Sequence, residues 1–298
     1  DYGGLGLNDT TKRSSPTQIP GTTWSKGSIL YADGPYVFAT RTDGTLWAWG
    51  ENNNGQCGTN NTTDYSSPTQ IPGTTWNEVN GGYSPLATKT DGTLWSWGYG
   101  YFGTLGLNQG GPIKVSSPVQ IPGTDWSSGE RKNTQSTGNS FAIRTDGTLW
   151  GWGVADRGQL GNNTAAGHKS SPTQIPGTTW SLVCNNDTHT QAIKTDGTLW
   201  VWGQNNQGQL GQNNTTLRSS PTQIPGTTWS DIITGPEHSM AIKTDGTVWT
   251  WGQNSIGQLG LNNITQYSSP VQVPGTNWSF DNINVQMRNA SFGVFKQV

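Results

Sequence analysis

Apolar and polar residues alternate in short runs that return at a near-fixed interval along this chain. The clearest run, Thr-Asp-Gly-Thr-Leu-Trp-x-Trp-Gly, starts at Thr42, Thr90, Thr145 and Thr195, and recurs from Thr244 with Val248 in place of the Leu. Alternation with period two marks a strand with one buried face. The Asp-Gly pair ahead of it predicts a two-residue type I′ hairpin turn, in which both central residues take positive φ. The two Trp of each run, such as Trp249 and Trp251, are two positions apart and so project from the same face of the strand. Each run is therefore expected to form the tip and second strand of a hairpin, with the Trp pair packed against a neighbouring unit.

A second marker, Pro-Gly-Thr-x-Trp, starts at Pro20, Pro72, Pro122, Pro176, Pro225 and Pro274, with successive spacings of 52, 50, 54, 49 and 49 residues. One period resolves into four short strands: Trp229 to Ile233, Ser239 to Lys243, Thr247 to Trp251, and Pro270 to Pro274. The prolines suit an outermost strand, where a missing N–H does least harm and the edge is protected from further pairing. A period near 50 made of four antiparallel strands predicts an all-β propeller of six repeats, forming one domain over residues 1–298. The stretch Asp1-Tyr-Gly-Gly-Leu-Gly6 matches Tyr101-Phe-Gly-Thr-Leu-Gly106, and Ser291-Phe-Gly-Val-Phe-Lys296 aligns with a second strand. The ring is thus expected to close in a blade drawing on both termini, with a short Leu-Trp-x-Trp-Gly-like piece expected ahead of Asp1 in the native chain.

Composition changes this picture in one respect. Only 30% of the 298 residues are hydrophobic and 11% are charged, a balance that alone would suggest disorder. The 16 Trp reverse that reading, because they bring large apolar surface at fixed spacings. The Trp-x-Trp pairs and the Pro-Gly-Thr-x-Trp markers account for all of them, so none is left for a private sugar-stacking site. A net charge of −2 offers no field for a polyanion, and nucleic acid is not an expected partner. No apolar run is long enough for a membrane helix, and no membrane insertion is expected.

Candidate chemistry is sparse. Cys57 stands where Leu160, Leu210 and Leu259 stand in sister repeats, and Cys184 where Ile233 does, so both read as small buried hydrophobes rather than a disulfide. Asn-x-Ser/Thr at Asn61, Asn186, Asn214 and Asn263 reads as turn chemistry. His168, His189 and His238 lack metal-ligand spacing, the Asp-Gly turns lack a calcium-loop pattern, and segments such as Gly208-Gln-Leu-Gly211 lack the Lys-Ser/Thr of a phosphate loop. No metal or cofactor is expected, and no catalytic residues. Arg41, Lys89, Arg144, Lys194 and Lys243 share one repeat position, two residues before Asp43, Asp91, Asp146, Asp196 and Asp245, and read as a solvated rim of cancelling charge.

The repeats stop agreeing between the first and second strands. In an antiparallel meander these loops emerge at the same end as those between the third and fourth strands, opposite the uniform Asp-Gly turns. The divergent set is rich in residue types that anchor interfaces or adapt to them. A protein-binding site is therefore expected at Tyr31, Tyr36, Tyr83, Arg131, Lys132, His189, Glu237, His238, Met287 and Arg288.

The run Gly235-Pro-Glu-His-Ser-Met-Ala-Ile-Lys-Thr-Asp-Gly-Thr-Val-Trp-Thr-Trp-Gly-Gln-Asn-Ser-Ile-Gly-Gln-Leu-Gly260 resembles the repeat of the regulator of chromosome condensation family, and comparable repeats cover essentially the whole chain. The resemblance implies a propeller, usually of seven blades. The functions it implies range from guanine-nucleotide exchange on the Ran GTPase to ubiquitin-ligase accessory domains and secreted inhibition of β-lactamases. No stretch within these 298 residues resembles the inserted wedge or basic tail of the Ran exchanger, so GTPase remodelling and chromatin binding are not the leading expectation. The resulting expectation is a non-enzymatic binding or structural module, extracellular or on a particle surface such as a virion or appendage, that recognises a protein through its divergent loops. A guanine-nucleotide exchange factor for a small GTPase and a glycan-binding protein are the alternatives, separable by a nucleotide-release assay and a glycan array.

Overall fold

Each Trp-x-Trp run forms the third strand of a four-stranded antiparallel sheet. The computed structural model describes residues 2–32, 34–82, 84–129, 131–276, 278–279 and 296–297, with the backbone alone at 26–35, 279 and 296–297. Blade one holds β1 (Trp24–Ala32), β2 (Gly34–Arg41), β3 (Leu46–Gly50) and β4 (Tyr65–Gln70). Blade two holds β5 (Trp76–Asn80), β6 (Leu86–Lys89), β7 (Leu94–Gly100) and β8 (Ile113–Ile121). Blade three holds β9 (Asn133–Gln135), β10 (Asn139–Ile143), β11 (Leu149–Gly153) and β12 (Lys169–Gln174). Blade four holds β13 (Trp180–Asn185), β14 (His189–Lys194), β15 (Leu199–Gly203) and β16 (Arg218–Ile224). Blade five holds β17 (Trp229–Thr234), β18 (His238–Lys243), β19 (Val248–Gly252) and β20 (Tyr267–Gln272). A sixth sheet pairs β21 (Trp278–Ser279) with β22 (Lys296–Gln297).

Within each complete blade the strands lie side by side in sequence order. The first strands of successive blades, β1, β5, β9, β13 and β17, neighbour one another. They are therefore innermost, and the sheets are arranged as a β-propeller, with no helix among the described residues. The fourth strands are outermost and half-buried, each with a Pro in mid-strand, for example Pro172 and Pro270. Strand four of blade five starts at Tyr267, earlier than the Pro270 expected from pattern, and stops before Pro274.

The hairpin at each Asp-Gly pair is one residue longer than the pattern predicts. Lys243 N donates to Thr247 O at 3.0 Å and Gly246 N to Lys243 O at 2.9 Å, which leaves Thr244, Asp245 and Gly246 in the loop. Gly246 has φ of 75°, whereas Asp245 keeps negative φ. This is a three-residue loop with its last residue left-handed, not the two-residue type I′ turn. The cause lies in the following Thr, whose backbone N and Oγ1 both donate to Asp245 Oδ1, at 3.0 and 2.6 Å, and hold the Asp in place.

The second Trp of each pair is the packing device. Trp97, Trp152, Trp202 and Trp251 are fully buried, and each indole crosses to the preceding repeat's loop. Trp251 Nε1 donates to Gln209 O at 2.8 Å, Trp202 to Gln159 O at 2.9 Å, Trp152 to Thr104 O at 2.9 Å and Trp97 to Gln56 O at 2.9 Å. A Cβ at Gly211 would lie 2.9 Å from Trp251 Nε1, and its φ is 64°, so close approach and backbone conformation both demand glycine. Cys57 is buried beside this seam with its thiol pushed up by burial, and like Cys184 it is unbridged.

Candidate functional site

The two ends of the propeller differ in how their side chains are committed. At the end carrying the Asp-Gly turns, each turn glycine accepts from the Trp that opens the next blade, as Gly197 O does from Trp229 N at 3.0 Å. The shared cations are not the solvated rim expected from sequence. Each lies between two indoles: Lys194 Nζ is 4.8 Å from the Trp180 ring centroid and 4.6 Å from that of Trp200. Arg41, Lys89, Arg144 and Lys243 repeat the arrangement. The strand-one Trp and the first Trp of the pair meet edge to face on one side of the sheet, and the cation from strand two fills the space both rings border. Each turn carboxylate is held below its usual range, first by the Thr hydroxyl and backbone N–H and more weakly by the nearby cation.

The opposite end carries the loops after the first and third strands, tied together by bonds such as Gln204 N to Thr188 O and Gln253 N to Glu237 O, both 2.9 Å. Here the structure separates the expected binding residues. Tyr36, His189 and His238 are buried, which removes them from direct contact with a partner. The Tyr36 hydroxyl reaches across to Gly82 of blade two. Arg131 pairs with Asp231, two blades away, and Lys132 Nζ donates to Ser181 O of blade four. Burial holds the Lys132 ammonium below its ordinary pKa. Glu237 stays half-exposed. Tyr83, Met287 and Arg288 lie outside the described residues, as does the Tyr31 side chain.

The physical reason for these corrections is position. The one-to-two loops sit at the inner ends of the blades, where the strands converge, so their variation records different ways of filling the same crowded space. Asn80 Nδ2 bonds Asn133, Thr134 Oγ1 donates to Asn185 Oδ1 at 2.8 Å, and Cys184 Sγ lies 3.2 Å from Thr234 Oγ1, each contact joining adjacent blades. Burial pushes the His189 imidazole down to about 3, helped by His238, and His238 down to about 4.

Exposed apolar groups lie instead on the peripheral three-to-four loops. Tyr101 is 45% exposed and stacks parallel to Tyr99, with ring centroids 6.1 Å apart. Phe102 continues the row to His168 of blade three at 4.2 Å, and Leu217 of blade four is 40% exposed. Pattern reasoning missed the buried asparagines that hold three of these loops. Asn205 Nδ2 donates to Asn214 O and Thr216 O at 2.9 and 3.1 Å, and its Oδ1 accepts from Leu210 N. Asn52 and Asn254 do the same. The signal was present as an Asn nine residues ahead of each Asn-x-Thr. Among the described residues no three His, Cys, Asp or Glu side chains converge as metal ligands would.

The repeats can be matched to known proteins. The model of the regulator of chromosome condensation (RCC1) repeat matches residues 43–83, 91–128, 146–193, 196–242 and 245–284. Human WBSCR16 superposes with a TM-score of 0.66 at 23% identity, over 80% of this chain and 64% of that one. Prp20p from Saccharomyces cerevisiae superposes with a TM-score of 0.68 at 17% identity, over 85% of this chain and 65% of that one. The chain thus spans somewhat less than two-thirds of either structure, and at these identities the likeness is one of fold. The matched repeats cover well over half the sequence and contain the Asp-Gly turns, Trp pairs and glycine seams described above: the chain belongs to the regulator of chromosome condensation repeat family.

Proposed function

We propose that this chain is a non-enzymatic protein-recognition module that docks its partner on the loop face, as an extracellular or particle-surface component such as part of a virion or appendage. The observation that carries the reading is the contrast between the two ends. The turn end spends its Asp, Thr, Trp and cationic side chains on one another. The loop end presents Tyr101, His168 and Leu217 to solvent on loops anchored by rigid strands. Such loops lose little entropy on binding, and a few aromatic or apolar anchors can supply most of an affinity. The footprint moves outward from the residues expected from sequence, with Glu237 retained at its inner margin.

Protein binding has a precedent in the fold: the Prp20p structure was described together with that protein's binding properties to Gsp1p and histones. Against an enzyme stands the hydroxyl of Ser239, which lies beside His189 but is fully buried and donates to Gln209 O at 2.8 Å. The test is capture of partners from native material with matched variants. Tyr101→Ala combined with Leu217→Ala should lose the partner, while Asp43→Asn with Asp91→Asn should keep it. The opposite result in folded proteins would move the working surface to the turn end. Stimulated nucleotide release from a small GTPase, or a specific hit on a glycan array, would replace the reading.

A further inference from the structure

The hairpin joining β7 to β8 departs from its sisters in three ways that meet at one exposed spot. It is longer: the other third strands end at Gly50, Gly153, Gly203 and Gly252, whereas β7 continues past the equivalent Gly98 and pairs Tyr99 with Lys114 and Gly100 with Ile113. It is also anchored differently, with Gly100 where Asn52, Asn205 and Asn254 hold their loops. The anchor here is the fully buried Ser84. Its Oγ donates to Tyr99 O at 2.8 Å and lies 2.7 Å from Thr104 Oγ1, which accepts from Tyr101 N at 3.3 Å. Finally, Phe102 has φ of 54°. Its counterparts Asn54, Arg157, Gln207 and Ile256 do not take positive φ, and apart from Arg131 every other non-glycine residue that does so, among those described, is Asn or Thr. A bulky side chain holds that conformation only at a cost.

That strained backbone sets the Phe102 ring against Tyr101 and His168, with centroids 3.8 and 4.2 Å away. Tyr99 and Tyr101 turn faces toward each other, 9° from parallel. Ring faces are thus largely taken up within the row, and an irregular apolar ridge of this kind suits the side chains of a peptide better than the flat ring of a sugar or base. Charge around the row has one sign. Residues 92–124 and 157–186 contain no Asp or Glu, while Lys114 stands opposite Tyr99 in the ladder and Lys169 follows His168. Lys114 is exposed, its Nζ donates only to a carbonyl, Asn53 O, at 3.0 Å, and neither Lys forms an ion pair among the described residues. The carboxylates of the adjoining loops are committed. Asn53 Nδ2 donates to Glu51, which is 7% exposed, Asn52 N to Asp64 Oδ1 at 2.8 Å, and Gln159 Nε2 to Asp156 Oδ1 at 3.1 Å.

We propose that this hairpin, with His168 and Lys169 of blade three, is the anchor point of the recognition face and takes an acidic peptide segment, one in which an aromatic or leucine side chain is flanked by Asp or Glu. The inference rests on the loop-face reading and names the chemistry of its partner. The apolar side chain packs on Tyr101 and Phe102, and the flanking carboxylates reach Lys114 and Lys169. Exposed ion pairs add little affinity by themselves. The ring row therefore supplies the binding, already ordered before the peptide arrives, and the two cations select acidic segments from other apolar ones and repel basic ones.

The experiment selects a displayed library of random peptides on the full chain, then titrates the enriched peptides against the parent and variants. Enriched sequences should place Asp or Glu beside Trp, Phe, Tyr or Leu and bind saturably, more weakly as salt is raised. Tyr101→Ala and Lys114→Glu, each with the parent's thermal melt, should weaken binding by at least about tenfold, and so should replacing the peptide's carboxylates with amides. Failure to enrich any peptide, neutral or basic winners, or binding indifferent to Lys114→Glu and to the amide peptide would each overturn the proposal. Binding lost in Leu217→Ala but kept in Tyr101→Ala would overturn it and leave the loop-face reading standing. Loss confined to Asp43→Asn with Asp91→Asn would overturn both.

Discussion

The imidazole Nε2 of His189 and the hydroxyl oxygen of Ser239 lie 2.8 Å apart across the seam between blades four and five. The Ser239 proton is committed to Gln209 O, so Nε2 must be the donor. Nδ1 then accepts from Asn186 Nδ2 at 3.1 Å. One tautomer of neutral imidazole fits, and a second ring proton would meet the Asn186 donor.

That arrangement predicts acid sensitivity with a defined window. The folded-state pKa values of about 3 for His189 and about 4 for His238 lie below the unfolded value of roughly 6.5. Between these values the unfolded chain binds more protons, so stability is complete above the unfolded pKa and falls as pH falls. The slope approaches about 1.4 kcal/mol per pH unit for each His. Urea melts between pH 7.5 and pH 4.5 should show this decline, and His189→Gln with His238→Gln should flatten it. The turn carboxylates, with depressed values, add their loss only below about pH 4. An unchanged slope in the double variant would assign the sensitivity elsewhere.

The two Trp of one pair should differ in what they contribute. Trp251 is fully buried and donates across the seam, so Trp251→Ala should cost about 3–5 kcal/mol, as for large buried aromatics. Trp249 is half-buried, with its indole N–H bonded to Thr247 Oγ1 at 3.0 Å and Lys243 over its ring. Trp249→Ala should cost less, about 2 kcal/mol. Equal losses in denaturant melts would mean that the outer indole carries as much packing as the inner one.

The strands were legible because period-two alternation and the Pro-Gly-Thr-x-Trp spacing repeat without interruption, and the Asx bonds at Asn61, Asn186, Asn214 and Asn263 match their reading as turn residues. The seams were not legible. Gly211 looks like a turn glycine, and no linear pattern says that it must abut the Trp251 indole, whose partner carbonyl at Gln209 is 42 residues away. The binding residues misled for a related reason. Variation at Tyr36 and His189 looked like recognition, but these side chains fill space between blades that differs from seam to seam, a property of tertiary packing that a single repeat does not encode.

At the turn end, two variants of Asp196 separate hydrogen bonding from charge. Asp196 Oδ1 accepts from Thr198 N and Oγ1 at 3.0 and 2.7 Å, bonds that an Asn side-chain carbonyl can keep. Asp196→Asn should therefore remain close to the parent, and Asp196→Ala should be the less stable of the two. If Asn proves as damaging as Ala, attraction to Lys194 rather than the turn bond is what the carboxylate supplies. Lys194→Met keeps most of the apolar stem and loses the charge over Trp180 and Trp200, a change expected to cost about 1 kcal/mol. The same loss in 1 M salt would identify ring contact rather than the exposed carboxylate as its source.

The buried Asn205 allows the sharpest test of how the three-to-four loops are held. Its amide donates to two carbonyls while its oxygen accepts from Leu210 N, and it is 1% exposed. Asn205→Ala leaves those backbone groups without their partner and should cost about 2–3 kcal/mol. Asn205→Asp keeps the shape and the acceptor but turns a second oxygen toward the carbonyls of Asn214 and Thr216. At pH 7 it should therefore be worse than Ala, because a buried carboxylate facing acceptors is penalised twice. Its folded-state pKa must then lie above the unfolded value, so protonation stabilises the fold and restores a donor. Relative to the parent at the same pH, the Asp variant should regain stability as pH falls from 7 to 5, while the Ala variant should not. Parallel melts at the two pH values decide it, and an Asp variant that tracks Ala would mean that water has entered the loop and taken over both bonds.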